Sequence, residues 1–386
     1  MEVDLDVLGS NLAVVRQAAG ANREVILVVK ADAYGHGAVA VTHAAMRSGI
    51  RRFGVGDSTE ALQLRSAGVD ASLLVLGSVV PSELPQVVAR GIEVAVHTAD
   101  RIDSLEHEAA LQERRVKVHV NVDTGMGRLG TTPEHAVDLI RSIHNRPHLE
   151  LAGLMTHFAM SSGSEDPYTA EQIERFDQVI DTAREAGEDL PLIHAANSAA
   201  LFTQTDSHDT GVRIGAAAYG FLNPRVMAGG DMRPVLSLKS QIVFLKDVPT
   251  GTTIGYDRRY KAPRPTRIAT CPIGYADGVP SRIGNVGHVL VRGRCAPIVG
   301  AVSMDYITID IGDVPGAAVG DPVTLIGRDG REEVRIADWA AWADMVPYEI
   351  PCGVGPRVRR IYRGGALGPA PSTATQATLA AEDVAP

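Results

Sequence analysis

The chain has 386 residues, of which 45% are apolar and 22% charged, with a formal net charge of −9. This is ordinary globular composition with enough apolar residues for a sizeable core, at a length that points to two domains. The acidic balance argues against nucleic acid or an anionic membrane as a main partner.

Cys271, Cys295 and Cys352 form no CxxC pair. They are too few for a disulfide framework and suit a reducing compartment. The N-terminus is acidic where a signal peptide would be basic, and no run approaches the ~18 apolar residues of a membrane span. A cytoplasmic location is expected. Because EVDLDVL reads as a strand running straight into a helix, a few residues are expected to precede Met1.

Eight short apolar runs follow, at 24–30, 52–55, 73–77, 92–96, 116–122, 149–157, 191–195 and 212–214. Amphipathic stretches of helical length, such as 38–48 and 171–186, separate most of them. Buried strands alternating with helices indicate βα units and a parallel sheet. Eight units predict a (β/α)8 barrel of the TIM type rather than an open sheet. From about Val235 the texture turns β-rich, in LSLKSQIVFLKDV, RIATCPIG, HVLVRGRCAPIVGAV and YITIDIGD, with Gly, Pro and Asp turns between. There 336–343 alone reads as helix, ahead of a last strand at 358–362. The predicted organisation is a barrel over 1–232, a mostly-β domain over 233–364, and a disordered tail over 365–386.

Lys30 ends the first strong run, at the rim where barrels present catalytic side chains. Partial desolvation there lowers a lysine pKa and suits Schiff-base chemistry. Position alone favours a rim salt bridge instead. The surrounding strings change the weighting. VVKADAYGHG is followed in order by NVDTGMGRLG, LMTHFA, HAANSAA, VRIGAAAYG, IGYDRRY, GYADG, GAVSMD and VPYEI. Together they resemble the alanine racemase family, fold-type III enzymes dependent on pyridoxal 5'-phosphate, from Val3 to about Tyr362.

That resemblance implies a homodimer with shared active sites and racemisation of L-alanine to D-alanine, a peptidoglycan precursor in a bacterial host. Lys30 is then the lysine bonded to the cofactor. Tyr34, Asn197, Ser198, the amides of Gly215 and Ala216, and Tyr348 match the phosphate site. Read from the residues alone, Ser198 is as good a helix cap as a phosphate ligand. Arg213 matches the arginine facing the pyridine nitrogen. A guanidinium does not surrender its proton, so the ring stays a weak electron sink and racemisation is favoured over transamination. The bland reading of Arg213 is a structural arginine at the start of a Gly-rich turn.

Racemisation needs a base on each face of Cα. Tyr256, from the partner's β domain, matches the base opposite Lys30, and His157 matches its helper toward Arg213. Blind, they read as a strand-end tyrosine and a core histidine. Arg128 matches the substrate-carboxylate arginine, aided by the Met304 amide, and Tyr275 with Tyr348 matches the gate restricting substrate size. No metal is implied.

Three positions depart from the pattern. Asn121 stands where many members carry a carbamylated lysine, so Arg128 lacks its usual counter-charge. Either a small anion such as chloride sits beside Asn121 and Arg128, or Asn121 hydrogen-bonds Arg128 directly. Asp257 replaces a common glycine, and Ser281 an arginine that here falls at Arg282. These changes, with an asparagine also seen in serine-accepting relatives, leave serine or broader specificity as the main alternative. A barrel-only cofactor-binding protein is disfavoured by the β region. A fold-type III decarboxylase is disfavoured because neither Cys271 nor Cys352 sits in a comparable motif.

Overall fold

A computed structural model describes residues 1–160, 167–222 and 232–365. The expected tail therefore lies, from 366 onward, outside the described residues. Among the described residues no helix is long and apolar enough to cross a membrane.

All eight expected barrel strands are present. They are β2 (Glu24–Val28), β3 (Arg52–Val55), β4 (Ser72–Val75), β5 (Glu93–Val96), β6 (Val116–Val122), β7 (Leu149–Thr156), β8 (Ile193–His194) and β9 (Gly211–Ile214). They pair in parallel and close into a barrel, with β2 from Glu24 to Leu27 running beside β9 from Gly211 to Ile214. Burial on both faces explains why the strands read as continuous apolar runs. Connecting helices start where the sequence supplies caps: Asp4 Oδ1 accepts from the amides of Asp6 and Val7 before α1 (Leu5–Ala19), and Asp57 Oδ1 from Glu60 before α4 (Ser58–Ser66). The expected helices at 38–48 and 171–186 are α3 (Ala38–Arg47) and α8 (Pro167–Glu185).

The second region is mostly β. Strand β1 (Glu2–Asp4) sits in its main sheet, between β10 (Leu236–Gln241) and β20 (Ile361–Arg363), so the first strand of the chain packs beside the last. The rest of the sheet is β18 (Pro322–Asp329), β15 (His288–Val291), β16 (Arg294–Pro297) and β19 (Glu332–Val334). A second sheet holds β11 (Phe244–Val248), β14 (Thr266–Cys271) and β17 (Ile307–Asp310), and β12 (Thr253–Ile254) with β13 (Tyr260–Lys261) forms a hairpin.

Three expectations need correction. The longest strand here, β18, was missed; Gly327 at φ 121° and a register shift opposite Leu238 and Lys239 break its alternation. The last strand begins at Ile361 instead of 358, because Arg360 turns back to the carbonyls of Val354, Gly355 and Val358 and holds that stretch as a turn. Besides α10 (Ile336–Ala343), a short α11 (Glu349–Cys352) is present, and it packs onto the barrel mouth.

Candidate active site

Lys30 lies just past β2, not within it, and opens α2 (Lys30–Tyr34). This turn is left-handed: Ala31, Asp32, Ala33 and Tyr34 have φ between 52° and 55°. Such backbone costs an L-residue roughly 1–2 kcal/mol, so it persists only where its surroundings over-determine it. Glu60 accepts from the Ala31 amide at 2.6 Å and the Gly56 amide at 2.7 Å, and Asp32 accepts from the Ala38 amide at 2.7 Å. The His36 ring donates to the carbonyls of Ala33 and Tyr34 and stacks on Tyr219. Lys30 is thereby fixed at the open end of the barrel. Its pKa is lowered, first by lost hydration and then by the Arg128 charge, with Glu60 opposing.

Arg213 is the third residue of β9, buried inside the barrel rather than at the start of a turn. Its Nη1 donates to the carbonyl and Nδ1 of His194, and its Nη2 to Thr156, Ala195 and, at 3.3 Å, His157 Nδ1. Only the Nε–H is uncommitted among the described residues. Burial draws the Arg213 pKa down to about 10, which still leaves it charged at neutral pH. His157 follows β7 and is held neutral, its pKa drawn down to about 3 by burial and then by the charges of Arg213, Arg128 and Lys30. With Nδ1 accepting from Arg213, its proton must sit on Nε2.

Ser198 Oγ accepts from the amides of Gly215 at 2.9 Å and Ala217 at 3.2 Å. The helix-capping alternative falls instead to Asn197, whose Oδ1 accepts from Ala199 and Ala200. A Cβ at Gly215 would lie 2.4 Å from the Tyr34 hydroxyl, so only glycine lets that hydroxyl reach this backbone. The amide of Ala216, between the two bonded amides, has no acceptor among the described residues. Tyr348, just before α11 of the same chain, meets Tyr34 edge-on at 6.2 Å. Hydroxyls and a free amide converge after β8 and β9, where barrels hold phosphate. A phosphorylated aldehyde fits: an amine at one end, an uncommitted arginine N–H in the wall, and phosphate donors at the other end.

Arg128, in the loop after β6, is exposed, and its guanidinium has no partner among the described residues. Its charge still lowers the pKa of both Lys30 and His157, so it belongs to the same mouth. Asn121 does not bond it. The Asn121 amide donates to the Leu129 carbonyl at 3.1 Å, pinning the loop backbone, while its Oδ1 is buried without a partner. The direct Asn121–Arg128 bond is therefore absent: a guanidinium can only donate, and the one acceptor on the Asn121 side chain, Oδ1, is buried without a partner while Arg128 is exposed.

The remaining expected residues stand apart. Tyr256 is 72% exposed, on a short 3-10 turn rather than a strand end, beside a cavity of about 340 Å³ that also involves Ser303 and Tyr306. Tyr275 and Met304 share one knot, in which the amides of Tyr275 and Ala276 donate to the carbonyls of Ser303 and Met304. Both are about half exposed, and neither they nor Tyr256 bonds a barrel-mouth residue of its own chain. Arg282 holds Asp344 at 3.5 Å and, with Ser281 and Tyr275, lines a neighbouring cavity of about 460 Å³.

Sequence reading missed Glu60, His194, His119 and Glu93. The available signal was an ionisable residue inside an otherwise apolar strand, which is rarely buried without a partner. Glu60 gave less warning, on a helix that is polar over most of its surface.

Comparison with known proteins covers the same span. The profile described as "Alanine racemase, N-terminal domain" matches residues 3–223, and "Alanine racemase, C-terminal domain" matches 235–362. The alanine racemase of Halothermothrix orenii is 40% identical over 363 residues, covering 94% of this chain and 96% of that protein. The alanine racemase of Methanococcus maripaludis is 37% identical, covering 94% and 97%. Among solved structures, alanine racemase from Streptomyces lavendulae superimposes with a TM-score of 0.89 at 31% identity, covering 94% and 96%. That from Bacillus anthracis, with bound L-Ala-P, gives 0.87 at 34%, covering 94% and 95%.

Proposed function

The chain belongs to the alanine racemase family and is a pyridoxal-phosphate-dependent alanine racemase, and from that premise we propose how its own residues divide the work. The observation that carries the reading is the convergence at one barrel mouth of the Lys30 amine, the uncommitted Arg213 Nε–H and the phosphate donors around Gly215. When bound, the cofactor supplies an electron-withdrawing ring that weakens the Cα–H bond of an attached amino acid.

Lys30 holds the cofactor and moves a proton at Nζ on one face of Cα. Its lowered pKa raises the share of neutral amine over that of an ordinary lysine. Tyr256 of the partner subunit moves the proton at its hydroxyl on the other face. His157, neutral and protonated on Nε2, is the donor that steadies the resulting phenolate. Arg213 would offer its Nε–H to the ring nitrogen and, as a guanidinium, would keep the proton, which would disfavour transamination. Tyr34, Asn197, Ser198, Tyr348 and the amides of Gly215 and Ala216 form the phosphate site, the Gly215 amide acting through Ser198. Arg128 takes the substrate carboxylate through two parallel N–H groups, with the Met304 amide, and Tyr275 narrows the entrance. The division at 232/233 separates the barrel's contribution from that of the β region, except that Tyr348 reaches the phosphate site of its own barrel.

A homodimer follows from the same reading. Tyr256, Tyr275, Met304 and Tyr306 are exposed on the β region, and a patch of exposed aromatic and apolar side chains marks an interaction surface. A two-fold arrangement brings each patch to the partner's barrel. We also propose chloride as the counter-ion of Arg128, whose guanidinium has no carboxylate beside it. Activity unchanged when chloride is exchanged for a bulky anion would remove that ion.

The test is a paired kcat/KM for L-alanine and L-serine with added pyridoxal phosphate, following the D-enantiomer. Strong preference for alanine is expected. Comparable turnover of serine would assign Asn121, Asp257 and Ser281 to a wider pocket, and no D-product from either would overturn the reading.

A further inference from the structure

Behind Arg213 a chain of buried polar groups crosses the barrel interior. Arg213 Nη1 meets His194 Nδ1 at 3.0 Å, His194 Nε2 meets His119 Nδ1 at 3.0 Å, and His119 Nε2 meets Glu93 Oε2 at 3.0 Å. None of the four residues is more than 5% exposed. They stand on β9, β8, β6 and β5. β7 separates β6 from β8 in the sheet, and the histidine pair bridges it inside the barrel over Gly153, where a Cβ would lie 2.5 Å from His119 Nδ1. Glu93 is the first residue of β5, at the end of the barrel away from Lys30. There its Oε1 accepts from Ser72 Oγ at 2.7 Å, and Arg52, itself 3.7 Å from Glu24, approaches its Oε2 at 3.8 Å.

The chemistry at the two ends fixes every proton between them. Guanidinium only donates, so His194 Nδ1 must accept and its hydrogen lies on Nε2. That hydrogen needs an acceptor at His119 Nδ1, so the His119 hydrogen also lies on Nε2 and points at Glu93, which as a carboxylate only accepts. Both histidines are held neutral, chiefly by burial. Burial raises the Glu93 pKa, but the hydrogen bonds from His119 and Ser72 and the Arg52 charge together outweigh it and keep the group ionised. The Glu93–His119 contact is thus a neutral imidazole on a carboxylate rather than an ion pair.

We propose that Glu93 is a positioning residue for the cofactor: acting through His119 and His194, it locks one tautomer on each ring and so holds Arg213 with its Nε–H free for the pyridine nitrogen. Without an acceptor at position 93, the His119 hydrogen is either stranded in the core or moved to Nδ1. In the second case the His194 hydrogen must shift from Nε2 to Nδ1 and set an N–H against the Arg213 guanidinium, which turns away. The proposal rests on the cofactor assignment of Arg213 and adds a residue three hydrogen bonds removed from it.

The test compares Glu93→Gln, which keeps an oxygen acceptor, with Glu93→Leu, which removes it, by equilibrium binding of pyridoxal 5'-phosphate to the purified enzyme. Glu93→Gln is expected to bind within about threefold of wild type, and Glu93→Leu more weakly by about tenfold or more, by analogy with loss of the hydrogen-bond partner behind a metal ligand. A residue that only packs the core would lower thermal stability and leave cofactor affinity alone. Glu93→Leu that folds and binds like wild type overturns the proposal. Wild-type enzyme labelled with ¹⁵N-histidine provides a readout that needs no variant to fold. His119 and His194 should both show a pyrrole-type Nε2 and a pyridine-type Nδ1 from mildly acid to mildly alkaline buffer, and the opposite tautomer on either ring overturns the chain. Failure of the wild type to bind pyridoxal phosphate at all would instead remove the Arg213 assignment beneath it.

Discussion

The barrel mouth and the exposed face of the β region are built in opposite ways. At the mouth every polar group but a few is already committed: the α2 backbone to Glu60 and Asp32, four of the five Arg213 N–H groups to carbonyls and imidazoles, Ser198 to two amides. Those left over are the ones a cofactor needs. On the β region the chemistry-bearing side chains stand in solvent, with Tyr256 at 72% exposure and its turn in left-handed backbone at Asp257 and Arg258. One half of the site is organised within the chain. The other has residue types and a surface but no opposing face, which a second subunit would supply.

The largest expected effect falls on the organised half. Lys30→Ala removes the amine that bonds the cofactor and one of the two bases, so turnover should fall by more than about ten-thousandfold, and the absorbance of covalently held cofactor should vanish. Tyr256→Phe tests the other half. Covalent attachment should survive while racemisation falls about a hundred- to ten-thousandfold. It should fall alike in both directions, since the equilibrium constant between enantiomers is one. Exchange of the α proton with heavy water should then persist for D-alanine and be lost for L-alanine. Retention of full activity would sink the two-base assignment.

Mixing the two inactive variants breaks or sharpens the comparison itself. If each site takes Lys30 from one chain and Tyr256 from the other, subunit exchange makes half the dimers mixed, each with one intact site, and restores about a quarter of wild-type activity for a two-fold dimer. No recovery after demonstrated exchange would place both residues in one chain and undo the division of labour.

Legibility in the sequence followed the same divide. The eight barrel strands could be read because each is a short apolar run buried on both faces, and Lys30, Tyr34 and Arg213 because they stand in dense local strings. The left-handed α2 could not be read, since Ala, Asp and Tyr all favour right-handed backbone and what holds it otherwise includes Glu60, 30 residues beyond Lys30. Glu93, His119 and His194 were missed for a related reason. Each gives only the weak signal of an ionisable residue in a short barrel strand, and their meeting is a consequence of barrel closure, which no local pattern encodes. Strand β18 was lost to its own irregularity at Gly327.

The smallest effect is expected at Asp257, where the sequence departs from its family beside the proposed base. Its φ of 57° favours glycine, and its ion pair with Arg259, at 3.4 Å, is exposed on both sides. Asp257→Gly relieves about 1 kcal/mol of left-handed backbone, loses a surface pair worth at most about that much, and adds roughly 0.5–1 kcal/mol of unfolded-chain entropy. These largely offset one another, so stability should move by no more than about 1 kcal/mol. The ratio of kcat/KM for L-alanine to L-serine should likewise stay within about twofold, because the Asp257 side chain lies outside the cavity beside Tyr256. A larger change in that ratio with stability unmoved would mean that Asp257 reaches the substrate only once the second subunit is in place. The exposed face would then carry specificity as well as the second base.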